Sequence, residues 1–203
     1  MTDAVDAQAS LENTLNAEIV RMYQEVADNP QKEFHFFHGR EATEMFGYDT
    51  GALDAAPEGA VASFAGVGNP HQRANLQPGE AVLDLGSGAG LDAILASQKV
   101  GPTGEVHGVD LNPAMCLKAQ SHAAATGASM ECHEGRMEEI PLPDASVDVV
   151  ISNGVINLSF RKRQVIKELF RVVKPGGRVS ITDIVSAKQL SQSIVSDPKL
   201  WAS

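Results

Sequence analysis

The sequence predicts an α/β fold built on a doubly wound, mostly parallel sheet. After Pro78-Gly79, short β-branched runs alternate with longer helical stretches, and this alternation is typical of βαβ units whose sheet is covered on both faces by helices. The composition agrees, because 43% apolar and 21% charged residues in a chain of 203 is ordinary globular usage and excludes wholesale disorder and fibrous repeats.

The segment before the sheet predicts helices. Apolar residues recur every three or four positions from Leu11 to Val26, which predicts a helix with one face to bury that ends at Asp28-Asn29-Pro30. The stretch 49–57 is rich in turn-forming residues, and a short helix can follow it from Pro57. We therefore expect a helical cap in front of the core.

The core predicts five strands and three helices. The apolar, β-branched runs that predict strands are 81–85, 105–109, 130–134, 147–152 and 178–183. The longer stretches that predict helices are 91–100, 113–126 and 161–173. Pro175-Gly176-Gly177 predicts a tight turn that leads into the fifth strand.

The charge balance and the lack of a long apolar run restrict the partners. Sixteen Lys and Arg against 26 Asp and Glu give a net charge of −10, which repels phosphate backbones, so we expect no nucleic-acid partner. No run approaches the roughly 18 apolar residues of a spanning helix, and the amino-terminal residues are acidic where a signal peptide is basic. We therefore expect a cytoplasmic protein that binds a small molecule and no membrane.

The cysteines and histidines do not form a metal-binding pattern in the sequence. Cys116 and Cys132 are too few for a disulfide framework or a four-thiolate zinc site, and we expect both thiols in the core. His35 and His38 are spaced for a metal on a helix, but phenylalanines separate them and no third ligand is near, so we expect no metal. The aromatic and histidine cluster 34–40 can instead form a lid over a ligand, or simply pack.

A glycine-rich turn follows the first predicted strand of the core. Gly86, Gly88 and Gly90 come after Asp84 in the spacing Gly-x-Gly-x-Gly. At a strand-to-helix turn, free backbone N–H groups and the helix dipole face outward, and glycines let a ligand approach the main chain. Dinucleotide sites need Gly-x-Gly-x-x-Gly, and residue 91 is Leu, so the spacing disfavours a nicotinamide cofactor.

A carboxylate stands at the end of the second predicted strand, in Gly108-Val109-Asp110. An acid at this position can accept hydrogen bonds from both ribose hydroxyls of an adenine nucleoside bound near a topological switch point. The alternative is that Asp110 only caps the turn before Asn112-Pro113. The preceding glycine turn favours the nucleoside interpretation.

Together these residues resemble the class I S-adenosylmethionine-dependent methyltransferases, and within them the arsenite methyltransferase group. The resemblance covers about 66–185 and rests on five segments in the family's order: 66–70 (GVGNP), 82–92 (VLDLGSGAGLD), 100–104 (VGPTG), 152–158 (SNGVINL) and 174–178 (KPGGR). It implies a Rossmann-like fold with S-adenosylmethionine as the cofactor. In that fold 76–186 is the methyltransferase core, 1–75 is a helical cap or lid, and 187–203 is a C-terminal tail.

The resemblance also implies roles for individual residues. The glycine turn holds the methionine portion of the cofactor, Asp110 its ribose, and Arg136 with Met137 its adenine. The full set expected to contact the cofactor is Asp84, Gly86, Ser87, Gly88, Gly90, Asp110, Leu111, Arg136, Met137 and Asn153. Asn153 is also the one candidate for catalysis, since this position faces the cofactor or the acceptor in the family. The candidate acceptor contacts are His35, His38 and Asn157.

The sequence departs from the arsenite methyltransferase pattern at its thiols. Those enzymes hold trivalent arsenic on cysteine thiolates, one of them directly after the Ser-Asn pair, where this chain has Gly154, and no cysteine precedes Cys116. We therefore expect a methyltransferase (EC 2.1.1) that acts on a small-molecule acceptor. The alternatives are an arsenite methyltransferase and a non-catalytic S-adenosylmethionine-binding protein.

The sequence ends soon after the fifth predicted strand, whereas the family fold has seven. We expect a sheet without the last strands, and a C-terminus at Ser203 that is either native or truncated. The outer edge of the fifth strand then carries unpaired N–H and C=O groups. This edge can pair with a second copy in a homodimer.

Overall fold

The computed structural model describes residues 2–29, 32, 34, 36–188 and 197, and for residues 2–12 and 27 it describes the backbone alone. Within those ranges no helix combines the length and the hydropathy needed to cross a bilayer. Of the sequence predictions, the acceptor contact His35 lies outside the described residues.

Within the described residues, a five-stranded parallel sheet forms the centre of the fold and confirms the predicted α/β class. Its strands are β1 (Ala81–Leu85), β2 (Glu105–Asp110), β3 (Glu131–Glu134), β4 (Val147–Asn153) and β5 (Val173–Thr182). They lie in the order β3-β2-β1-β4-β5, and every pairing is parallel. The order reverses between β1 and β4, and ligands of open α/β sheets bind at the carboxyl ends of the strands beside such a point.

Eight α-helices surround or precede the sheet in the described residues. They are α1 (Thr2–Asp28), α2 (Gly39–Met45), α3 (Thr50–Ala55), α4 (Glu58–Ala62), α5 (His71–Ala74), α6 (Leu91–Val100), α7 (Pro113–Thr126) and α8 (Lys162–Val172). Short 3₁₀ turns cover Gly101–Thr103 and Ile156–Leu158. Where the sequence predicts only turns at 49–57, the structure has α3, because the Asp49 side chain accepts a hydrogen bond from the Ala52 N–H and caps this helix.

The helices cover the two faces of the sheet unequally. Ala93 and Val100 of α6 pack with Val82 and Val106 on one face. On the other face, α8 packs against the sheet in a buried cluster of Val165, Leu169, Leu83, Leu85 and Val109. The β3-to-β4 connection, residues 135–146, contains no helix, so α8 alone covers this second face among the core helices.

The cap contacts the core through α6. Tyr48, Leu53 and Phe64 share a buried cluster with Leu91 and Ile94. The segment from α2 to α4 is therefore packed onto the core by apolar side chains. The assignment of 1–75 as a separate cap segment stays a prediction.

The fifth strand differs from its predicted bounds of 178–183. Val147 of β4 pairs with Val173, whereas Val149 pairs with Arg178, so residues 174–177 bulge out of the ladder. The predicted Pro-Gly-Gly turn is this bulge, inside β5 rather than before it, because the chain returns to the same partner strand on both sides of the turn. β5 forms one edge of the described sheet, and the homodimer through it stays a prediction.

Candidate functional site

A cavity opens at the carboxyl ends of β1, β2 and β4, where the reversal of strand order predicts a ligand. The empty space within it, including the part that is open to solvent, is about 1070 Å³. Among its lining residues are Asp84, Gly86, Ser87, Gly88, Asp110, Leu111, Arg136, Met137 and Asn153, all of them expected from the sequence to contact the cofactor. Gly90, His38 and Asn157 lie outside this lining.

The glycine turn forms the floor of the cavity beside β1. Gly86 has a φ of +76° and a Cβ there would lie 2.4 Å from a methyl carbon of Val155, so only glycine fits. Gly88 has a φ of +51°, and a Cβ added to it would meet no atom within 4 Å, so its backbone faces open space. A ligand can therefore approach the main chain at Gly88.

Asp110 is held by backbone donors at the end of β2. Its Oδ2 accepts a hydrogen bond from the Gly88 N–H at 2.8 Å, and its Oδ1 accepts one from the Asn112 N–H at 2.8 Å. Burial raises the pKa of Asp110, while these two N–H donors act in the opposite direction. Each carboxylate oxygen keeps a further lone pair, so Asp110 can still accept hydroxyl groups from a ligand.

Asp84 is a buried carboxyl group with an unused oxygen. The residue lines the cavity with only 2% of its surface exposed, and its buried Oδ2 has no hydrogen-bond partner. Burial, followed by the neighbouring carboxylate of Asp92, raises the pKa of Asp84 well above its usual range. A cationic ligand group beside Asp84 would relieve both the repulsion and the missing contact.

A family profile for the methyltransferase domain matches residues 76–203. The chain belongs to the class I S-adenosylmethionine-dependent methyltransferases. The match begins just before β1, and so includes both the glycine turn and Asp110.

Several relatives of this chain are arsenite methyltransferases. The enzyme of Halobacterium salinarum is 44% identical over 157 residues, which is 77% of this chain and 40% of the relative, and that of Mus musculus is 35% identical over 130 residues, 59% and 35% of the two chains. The crystal structure of an arsenic(III) S-adenosylmethionine methyltransferase from Chlamydomonas reinhardtii has a TM-score of 0.67 and 40% identity, and the match covers 74% of this chain and 53% of that one. The chain thus spans less than half the length of these curated relatives.

The cavity of the chain fits S-adenosylmethionine, the cofactor of its family. The cofactor carries an ammonium and a sulfonium at one end, and the unpartnered Oδ2 of Asp84 offers an anionic partner there. It also carries two ribose hydroxyls, for which Asp110 keeps accepting lone pairs. Gly88 stands between Asp84 and Asp110 in the sequence. Its backbone faces open space, and its N–H donates a hydrogen bond to Asp110.

Asn153, the candidate catalytic residue, is fully engaged by other protein groups. Its Nδ2 donates to Tyr48 Oη at 3.1 Å, to the Gly68 carbonyl at 2.9 Å and to Asp92 Oδ2 at 3.1 Å. Its Oδ1 accepts the backbone N–H of Val67 at 2.9 Å. The amide therefore fixes the backbone at 67–68 and the Asp92 carboxylate in the wall of the cavity, which is a positioning arrangement.

The wall also contains residues that the sequence analysis did not select. α1 contributes Asn16, Ile19, Val20 and Tyr23 to the cavity. Burial and the nearby Asp110 raise the pKa of Tyr23 to about 12. The apolar periodicity of α1 includes Ile19 and predicts a buried face, but it does not reveal that this face meets the cavity.

Both cysteines lie behind the wall rather than in it. Cys116 and Cys132 are buried and share a small cluster with Ala119. Cys132 Sγ is 3.5 Å from the hydroxyl of Ser87, and neither thiol lines the cavity. The expectation that both thiols belong to the core is confirmed by their burial.

Proposed function

We propose that the protein transfers a methyl group from S-adenosylmethionine to a small-molecule acceptor. The observation that carries the proposal is the buried, unpartnered Oδ2 of Asp84, a residue that lines the same cavity as a second carboxyl group, Asp110. This pair matches a ligand with a cation at one end and ribose hydroxyls at the other.

In this proposal the residues of the chain bind and orient the cofactor and exclude water from it. S-adenosylmethionine, when bound, supplies a methyl carbon activated by its sulfonium. Asp84 holds the cationic end and Asp110 the ribose, while the backbone at Gly88 lies along the ligand. Catalysis then depends chiefly on alignment of nucleophile, methyl carbon and sulfur, because the leaving group needs no protonation.

Several apolar side chains line the cavity beside its polar anchors, among them Ile19, Phe64 and Leu158. The Glu138 carboxylate in the same lining already accepts a hydrogen bond from the Ser159 hydroxyl. Tyr23 stays protonated at neutral pH, and burial together with Asp110 raises the pKa of this phenol to about 12. An acceptor that is already nucleophilic, such as a thiolate or another soft anion, therefore suits this lining better than an alcohol, which would need a free base.

Arsenite is the second candidate acceptor, because the similar curated proteins include arsenite methyltransferases. Those enzymes are expected to hold arsenic on thiolates. The cysteines within these 203 residues are Cys116 and Cys132, and the cavity wall contains neither of them. A third candidate function is binding of the cofactor without turnover. It uses the same cavity as the first and differs from it only in that no methylated product forms.

The first experiment measures cofactor binding. We expect S-adenosylhomocysteine to bind the parent protein in an equilibrium titration, and Asp110→Ala to weaken binding by at least about tenfold, since the loss of one hydrogen bond to a charged group costs about 1.5–3 kcal/mol. Glu134→Ala is the matched control, because Glu134 pairs with Asp110 in the ladder and lies outside the cavity lining. Equal affinity in the parent and Asp110→Ala would refute the proposed site.

The second experiment separates turnover from binding. The protein is incubated with S-adenosylmethionine labelled in its methyl group and with thiols, selenite or arsenite in turn. A labelled thiol or selenium product supports the main proposal, and labelled methylarsenic supports the second candidate. Binding without any labelled product supports the third.

We also propose that the edge of β5 pairs two copies. Val179 and Ile181 are exposed apolar residues on this strand, and unpaired strand edges recruit further strands. A dimer mass in light scattering that Val179→Lys converts to a monomer mass would support the pairing, and a monomeric parent protein would refute it.

A further inference from the structure

Three side chains that can ligate a metal meet on the outer part of the sheet. His107 lies on β2, and Glu131 and His133 lie on β3. The parallel register pairs His107 with Glu131 and Val109 with His133, so the three side chains share one face of the sheet. Cys132, between the two ligands of β3, packs on the opposite face with Cys116 of α7.

This part of the sheet face is only partly covered. The β3-to-β4 connection above it contains no helix. The side chains of His107 and His133 are 22% and 23% exposed. The two rings are therefore held by the protein while remaining within reach of solvent, as an ion that enters from water requires.

The two imidazoles have the spacing of a ligand pair. His107 Nδ1 lies 3.3 Å from His133 Nε2, and the ring centroids are 5.5 Å apart. Two ligands bonded at about 2.0–2.1 Å to a tetrahedral zinc ion lie about 3.3–3.4 Å apart. Ligand atoms of all three side chains fall within 4.8 Å of one another, so the exposed Glu131 carboxylate lies near enough to the two imidazoles to be the third ligand.

The surroundings of the pair are anionic. Glu131 Oε1 is 3.9 Å from His133 Nδ1, and Glu105 Oε2 is 4.0 Å from His107 Nε2. Two imidazole nitrogens with a carboxylate suit Zn²⁺ and other late first-row ions, whereas Mg²⁺ and Ca²⁺ prefer oxygen ligands throughout. The donor set therefore selects among cations by chemistry as well as by charge.

We propose that His107, His133 and Glu131 form a binding site for one divalent transition-metal ion such as Zn²⁺. The ion links the edge strand β3 to β2. It lies before the C-terminal ends of these strands, where Asp110 pairs with Glu134. Water completes its coordination on the open side. The competing interpretation is a hydrogen bond from one neutral imidazole to the other, which requires no ion.

Calorimetric titration of the full chain with Zn²⁺ tests this site. We expect one equivalent to bind, with His107→Asn and His133→Asn each weakening binding by more than about 100-fold, because even outer-shell partners of metal ligands contribute about 10–100-fold. Glu131→Gln is expected to weaken binding by about tenfold or more. Glu134→Gln is the matched control on the same strand, outside the ligand set, and is expected to bind as the parent does.

Two further measurements keep the result decisive. Mg²⁺ is expected not to compete, and circular dichroism establishes that each variant is folded. If a histidine variant does not fold, Co²⁺ added to the parent decides: the intense visible absorption of a four-coordinate site supports the proposal, and the pale spectrum of hydrated Co²⁺ overturns it. Equal Zn²⁺ affinity in the parent and the folded double variant His107→Asn, His133→Asn would also overturn it.

Discussion

The strand ends and the α1 wall of the cavity are built in different ways. At the strand ends, Asp84 lies within β1 and Asp110 ends β2, and backbone N–H groups fix the Asp110 carboxylate. In the α1 wall, Ile19 and Tyr23 line the cavity, and Tyr23 packs against Met115 of α7. The difference teaches that backbone geometry fixes the polar anchors of the cavity, whereas packing of a helix distant in sequence completes its wall.

The largest effect on ligand binding is expected at Asp84, one of the two polar anchors at the strand ends. Asp84→Asn keeps the shape of the side chain but removes the charge that a cationic ligand group needs. We expect S-adenosylhomocysteine to bind about 10–100-fold more weakly, since a hydrogen bond to a charged group contributes about 1.5–3 kcal/mol. Isothermal titration calorimetry measures the change, and unchanged affinity would contradict the role given to this carboxyl group.

The same substitution has opposite effects on ligand binding and on stability. The pKa of Asp84 in the folded protein is raised, so its contribution to stability is present below the unfolded pKa and is lost as pH rises through the folded pKa. Above that range we expect Asp84→Asn without ligand to melt at a higher temperature, by about 2–4 °C for each kcal/mol. Ligand affinity of the parent rises with pH through the raised pKa, because a cation prefers the ionised form, and Asp84→Asn loses this dependence.

Asp148 provides the matched control for these pH measurements. Lys174 and the Ala81 N–H lower the pKa of Asp148, so its contribution to stability is present above the unfolded pKa and is lost as pH falls through the folded pKa. Asp148→Asn should therefore lower the melting temperature at neutral pH and leave ligand affinity unchanged. A rise in melting temperature for both variants would show that burial does not distinguish the two carboxyl groups.

The sequence predicts those elements whose ends are set by neighbouring residues. The bounds of α6 and α7 agree with prediction, because Asn112 caps α7 at its start and Gly127, with a φ of +67°, ends it. The bulge in β5 could not be predicted, since it depends on the register with β4. The sequence predicts the polar anchors at 84 and 110 for the same local reason. The contact of α1 with the cavity and the pairing of His107 with His133 could not be predicted, because they depend on the tertiary fold.

A moderate effect is expected in the glycine turn, where two substitutions separate folding from binding. A Cβ at Gly88 meets no atom within 4 Å, whereas a Cβ at Gly86 would lie 2.4 Å from Val155. Gly88→Ala should cost about 1–2 kcal/mol of stability for its left-handed backbone and weaken S-adenosylhomocysteine binding by about tenfold, because the methyl group occupies the ligand's approach. Gly86→Ala should destabilise the fold more. Thermal melts with calorimetric titrations check both, and a reversed order of stability would contradict the packing described at Val155.

The smallest effect is expected at Tyr23 in the α1 wall of the cavity. Burial and Asp110 raise the pKa of this phenol to about 12, so it stays protonated at neutral and mildly alkaline pH. Tyr23→Phe should therefore change S-adenosylhomocysteine affinity by less than about threefold, within the value of one neutral hydrogen bond. It should also leave the shape of the pH-rate profile unchanged once an acceptor is identified. A pH-rate profile that loses its basic limb in Tyr23→Phe but keeps its shape in Ile19→Ala would instead make the phenolate a base, and the α1 wall would then contribute chemistry as well as shape.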